Sequence, residues 1–254
     1  MDPLVSSTIA FLAACLAGAV NAVAGGGSLI SFPTLVWLGL PSITANATNT
    51  VAMWPGSMAS GWGYRRELST TERRMYVLIL PSVAGGLLGA LLLRLTPGQL
   101  FDRLVPVLIL FATCLFMAQE PVQRLFNRST LEHRGARWLA GGILFQFLVG
   151  IYGGYFGAGI GILMLAALSI MGHDDIHQMN GFKNLLATFV NGIAALYFIW
   201  MGMVSWPDAA IMAAGAVVGG VGGAGIARRL GQQTVRRIVV AVGFSMAAGL
   251  MLAR

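Results

Sequence analysis

The segment GAVNAVAGGGSLISFP, which opens at Gly18, returns half a chain later as GIYGGYFGAGIGILML from Gly150. Gly18 aligns with Gly150, Gly25 with Gly157 and Gly27 with Gly159. After a three-residue insertion, Thr48-Asn49 falls on Lys183-Asn184. Further on, Gly85-Gly86 falls on Gly219-Gly220, Gly89-Ala90 on Gly223-Ala224 and Arg94 on Arg228. Each copy is an apolar stretch broken by glycines, so the chain must build the same interrupted helix twice. In transporters, paired segments of this kind mark the binding site.

Only 10% of the 254 residues are charged and 57% are hydrophobic. A soluble domain is about a quarter charged. Apolar stretches run over Leu4–Ala24, Ser28–Leu40, Ile43–Trp62, Met75–Leu95, Leu100–Ala118, Ala136–Phe156, Ile160–Met171, Asn180–Met201, Ala209–Leu230 and Val235–Ala253. Several reach the ~20 residues that cross a hydrocarbon core. The composition predicts an all-α polytopic membrane protein whose partner is the lipid bilayer. The net charge of +7 then reflects cytoplasmic arginines rather than a nucleic-acid surface. Cys15 and Cys114 lie in apolar stretches and form no CxxC, so they predict neither a disulfide framework nor a metal site. The N-terminus resembles a signal peptide, but it carries Asp2 and no basic residue and recurs internally; it is expected to be mature structure.

Ser28–Leu40 and Ile160–Met171 are too short to span, since a helix of that length reaches only ~20 Å at ~1.5 Å per residue. Each glycine-broken pair is therefore either one kinked crossing or a hairpin that returns to its own side. Kinked crossings divide the arginines nine to six between the two sides. Hairpins put Arg65, Arg66, Arg73 and Arg74, the Arg124–Arg137 group and the Arg228–Arg237 group together, leaving Arg94, Arg103 and Arg254 opposite. The second division fits the positive-inside rule better. The expected fold is two inverted repeats, each a glycine-broken helical hairpin plus three transmembrane helices. Residues 1–119 form the first repeat, 120–137 a basic cytoplasmic connector and 138–254 the second.

Glycine lets the backbone turn at Gly25-Gly26-Gly27-Ser28 and at Gly157-Ala158-Gly159, and Ser28 is placed to cap the helix that follows. If the hairpins enter from opposite faces, their helix N-termini meet and present free N–H groups to an anion. Gly85, Gly86, Gly89, Gly219, Gly220 and Gly223 are read as close helix packing. Lys183 is the only lysine in the chain, and a charge inside an apolar span is a functional candidate; the alternative is a side chain snorkelling to the interface. Asn180, Lys183 and Asn184 share a helical face, with Asn46, Thr48 and Asn49 as their counterparts. Asn21 is close to the first break. Asn191 sits in apolar surroundings and needs a partner. Asp174, Asp175 and His177 are the candidates for a coupling proton, or else a solvated loop. No spacing matches a metal or cofactor site. Trp37, Trp62, Trp200 and Trp206 are expected at the interfaces.

NAVAGGGSLISFPTLVWLGLP followed by ANATNTVAMWPGS, together with GGYFGAGIGILML and MNGFKNLLATFVN, resembles the TauE/SafE family, the sulfite-exporter-type anion permeases, over essentially the whole chain. The second break departs from the first, with Ala158 for Gly26 and Ile160 for Ser28. The resemblance implies a secondary transporter, not an enzyme. It would move sulfite, organosulfonates or related small sulfur oxyanions across a bacterial inner membrane, outward in the exporter sense. The expected substrate-binding set is Asn21, Gly25, Gly26, Gly27, Ser28, Asn46, Thr48, Asn49, Gly157, Gly159, Asn180, Lys183 and Asn184. A passive anion channel is the alternative, and a metal or cation permease a more distant one. Neither the substrate, the direction nor the oligomeric state is encoded in these motifs.

Overall fold

The computed structural model describes residues 2–23, 26–63, 65, 73–126, 136–170, 176–230, 240–241, 243–245 and 247. Every regular element among them is a helix: α1 (Pro3–Val23), α2 (Ser28–Trp37), α3 (Ser42–Gly63), a 3-10 turn (Arg73–Leu78), α4 (Ile79–Leu95), α5 (Gly98–Phe126), α6 (Ala136–Tyr155), α7 (Ile160–Ile170), α8 (Ile176–Trp200) and α9 (Trp206–Leu230). Four stretches, Pro3–Asn21, Met75–Leu95, Gly98–Ala118 and Gln178–Trp200, are long and apolar enough to cross a membrane. The span expected over Val235–Ala253 lies mostly outside the described residues.

Two element boundaries differ from the sequence expectation, each for a local reason. The apolar stretch from Met75 opens as a 3-10 turn and becomes α-helical only at Ile79. Pro81 has no N–H to give the Val77 carbonyl, and proline is tolerated only in the first turn of an α-helix. At its other end, α5 continues through the polar stretch from Glu120 to Phe126.

Contacts between helices fix their directions. Gly215 of α9 packs on the Phe11 carbonyl and Gly219 on that of Cys15, so α1 and α9 run the same way. Thr48 meets Ser205 just before α9, Gly56 meets Ala216, and Ser60 lies against Gly220, so α3 runs that way too. The other set comprises α4, α6 and α8. Gly85 and Gly89 of α4 pack on the carbonyls of Phe147 and Ile151 in α6. The Tyr76 ring meets Phe182 edge-on, and Gly86 lies against Val190 and Ile193 of α8. The two sets are antiparallel, because Trp54 of α3 lies against Gly192 of α8 while Val51 clusters with Ala195.

Since α1 and α3 point the same way, the ten-residue α2 between them doubles back. The same holds for the eleven-residue α7 between α6 and α8. At ~1.5 Å per residue each of these short helices rises only about half of a ~30 Å hydrocarbon core.

The contacts also exchange helices between halves of the chain: α9 packs on α1 and α3, while α4 packs on α6 and α8. Backbone-close glycines line both interfaces, as expected where no hydrophobic force draws helices together in lipid. Ala10, Ala14 and Ala17 complete the α1 face, all fully buried. Trp37, Trp62, Trp200 and Trp206 are exposed at or near helix ends, where the indole ring suits a membrane–water boundary.

Candidate functional site

The two helix breaks face one cavity. Asn21 reaches it from α1, Ser28 is the first residue of α2, and Ser57 comes from α3. From the second half, Gly157 lies in the break, Ile160 and Gly161 open α7, and α8 contributes Lys183, Asn184, Ala187 and Asn191. Two short helices thus start at the same cavity, each turning its positive dipole end toward it.

The tips are held by different bonds. At the first, Asn21 Oδ1 accepts from the Gly27 N–H at 2.8 Å, and a Cβ at Gly27 would strike the Ala17 carbonyl. At the second, Tyr152 Oη donates to the Ala158 carbonyl at 2.7 Å, and Asn46 Nδ2 of the first half donates to the Tyr155 carbonyl at 2.9 Å. Gly157 and Gly159 have φ of +76° and +75°, the left-handed region that side-chain-bearing residues avoid. Alanine therefore fits at 158, between the two strained positions, and not at either of them.

Ser28 does not cap α2, contrary to the sequence expectation. Gly27 occupies the N-cap position with no side-chain cap bond. The N–H groups a serine cap would take are already bound: Leu29 to the Gly26 carbonyl, and Ile30 and Ser31 to that of Gly27. The Ser28 side chain is instead half-buried at the cavity.

Lys183 is 1% exposed, so it does not snorkel to the surface. Its Nζ donates to Asn180 Oδ1 at 3.2 Å, which leaves an ammonium with further donor capacity. Asn184, 4% exposed, has its Nδ2 without a partner. No carboxylate lines the cavity. A cavity with a buried cation, an unpaired amide donor and two helix N-termini has chemistry suited to an anion and opposed to a cation.

Of the residues singled out in the sequence, Asn21, Ser28, Gly157, Lys183 and Asn184 line the cavity together. Gly26, Gly27 and Gly159 shape the tips, and Asn180 holds Lys183. Asn46, Thr48 and Asn49 are buried but do not line it; Thr48 Oγ1 accepts from the Ser205 N–H at 2.9 Å. Gly25, Asp174, Asp175 and the side chain of His177 lie outside the described residues. Asn191 finds its place at the cavity. Ser57, Gly161 and Ala187 were not expected there. For Ser57 a signal existed: it stands eight residues after Asn49, on the same helical face.

The family model for the sulfite exporter TauE/SafE proteins matches residues 10–250. The chain belongs to the sulfite exporter TauE/SafE family. Among its TauE/SafE-like relatives is a "Probable membrane transporter protein" of Haemophilus influenzae, 27% identical over 94% of this chain and 92% of the relative. "Probable membrane transporter protein ORF9" of a Sinorhizobium species is 27% identical over 95% and 90%. "Probable membrane transporter protein YfcA" of Escherichia coli K12 is 25% identical over 99% and 91%. All three are similar along nearly their whole length, so the cavity lies within the matched region.

Proposed function

We propose that this TauE/SafE protein is a secondary transporter, working as an exporter, that carries sulfite, organosulfonates or similar small sulfur oxyanions. The anion would bind in the cavity between the two broken helices, and alternating access would expose that cavity to each side in turn. The observation that carries this reading is the convergence of buried Lys183 and the starts of α2 and α7 on one cavity that no carboxylate lines. Ser28 and Ser57 would add hydroxyls, Asn184 an amide donor, and Asn21 and Asn191 would close the polar ring.

The helix directions support inverted repeats, divided as 1–119 and 138–254 around a basic connector at 120–137. The arginine groups around that connector and the Arg65–Arg74 and Arg228–Arg237 loops would face the cytoplasm of an inner-membrane protein. Purified protein in liposomes loaded with radiolabelled sulfite, taurine or sulfoacetate tests the function. Saturable efflux of at least one of them, competed by the others, is expected. If none of the sulfur anions moves faster than in protein-free liposomes, the reading fails. Flux that never saturates would instead identify a channel.

A further inference from the structure

The unpaired polar atoms of the buried interior sort by chemistry. At the anion cavity the unpaired atom is a donor, Asn184 Nδ2. Away from it, on α3, the unpaired atoms are acceptors: Asn46 Oδ1 and Asn49 Oδ1. Asn46 and Asn49 are 1% and 2% exposed, so water does not reach them from the surface. They stand three residues apart on one helix face, where Cβ atoms are about 5–6 Å apart. The orientation of Asn46 is fixed, because its Nδ2 donates to the Tyr155 carbonyl and its oxygen must therefore be the free atom.

Tyr155 is the last residue of α6. Its carbonyl belongs to the negative end of a helix that stops inside the protein. The following N–H groups, of Phe156 and Gly157, both return to the Tyr152 carbonyl. The carbonyls of Gly153 and Gly154 receive no backbone hydrogen bond from the break that follows. Asn46 Oδ1 thus sits beside a set of carbonyl oxygens at a helix C-terminus, with Asn49 Oδ1 one turn along. An oxyanion has nothing to offer these oxygens, whereas a cation does.

We propose that Asn46, Asn49 and the C-terminal carbonyls of α6 form a sodium-ion site, separate from the anion cavity. Neutral oxygens alone suit a monovalent ion, since divalent cations draw on carboxylates, and α3 and α6 between Ser42 and Tyr155 supply none. The second half has its own cation at the corresponding place. Thr48-Asn49 aligns with Lys183-Asn184 in sequence, and the Lys183 ammonium satisfies an asparagine oxygen of α8. In the half without a lysine, a sodium ion would fill that role. The bound ion would sit on the tip that opens α7, so its occupancy would act on the same break that shapes the anion cavity.

The test uses purified full-length protein without any anion substrate, so its outcome is independent of which anion is carried. Thermal unfolding in detergent is followed against sodium chloride, potassium chloride and choline chloride at equal ionic strength, with radiolabelled sodium binding in parallel. Sodium is expected to raise the midpoint and to bind saturably where the other two do not. Asn49→Ala should abolish both effects. Asn49→Asp, which adds charge to the ligand set, should bind sodium about tenfold more tightly. If sodium acts no differently from choline, or potassium serves equally well, the site is refuted. An Asn49→Asp protein that binds sodium no better than wild type would refute it also, even if Asn49→Ala proves too unstable to purify.

Discussion

Replacing Lys183 by Met separates the functional reading from a purely structural one, because the two predict effects of opposite sign. Met matches the length and apolar stem of Lys and removes only the charge. An ammonium about 4 Å from an oxyanion gains about 4 kcal/mol at an effective dielectric of ~20, which is roughly a thousandfold in affinity. Lys183 is 1% exposed and its described partner is the neutral oxygen of Asn180. Burying an ammonium without a paired carboxylate costs several kcal/mol. Lys183→Met should therefore unfold at higher denaturant or temperature than wild type, by about 1–4 kcal/mol, while anion affinity falls by about two to three decades. Calorimetric titration with sulfite and sulfoacetate reads the first quantity, and thermal unfolding of the same sample in detergent reads the second. A variant that is destabilised yet binds the anion as wild type does would show that the lysine props the fold and does not meet the substrate.

Other consequences can be checked one residue at a time. Gly159→Ala forces a side chain into φ near +75° and should cost about 1–2 kcal/mol of stability, read by thermal unfolding; Ala158→Gly nearby should cost far less. Thr48→Val keeps the side-chain shape but strands the Ser205 N–H, and should destabilise by about 1–3 kcal/mol in the same measurement. With Cys15 and Cys114 replaced by Ala, single cysteines at Asp2 and Gln123 should react with an impermeant thiol reagent from opposite sides of the membrane. Labelling of both from one side would remove the inverted arrangement.

Much of the fold was legible because lipid leaves few options. Long apolar stretches must be helices there, and nine stretches have helices at nearly the expected positions. The doubling back of α2 and α7 followed from arginine placement, and the contact pairs Thr48–Ser205 and Gly56–Ala216 point the same way. What sequence could not supply was azimuth. Asn46, Thr48 and Asn49 looked like members of the anion site by analogy with Asn180, Lys183 and Asn184. Yet Thr48 faces the start of α9 and Asn46 faces the end of α6, a matter of which way each side chain leaves a helix packed on several sides. The misassigned Ser28 cap has a similar origin: a glycine-rich turn lets backbone carbonyls satisfy N–H groups that a serine would otherwise bind.

The exchange of α4 and α9 between the halves bears on how the molecule is made. Gly18 is synthesised early, but the backbone that covers it, around Ala216 and Gly220, emerges near the end of translation. Until then α1 and α3 hold open, glycine-lined flanks in the bilayer, and α4 waits for α6 and α8. The halves therefore should not mature one after the other. Expressed as separate polypeptides cut between residues 127 and 135, each should be degraded alone and rescued by the other. The same interlock means that an ancestral single copy could have been stable only as a pair of oppositely oriented chains that traded their fourth helices.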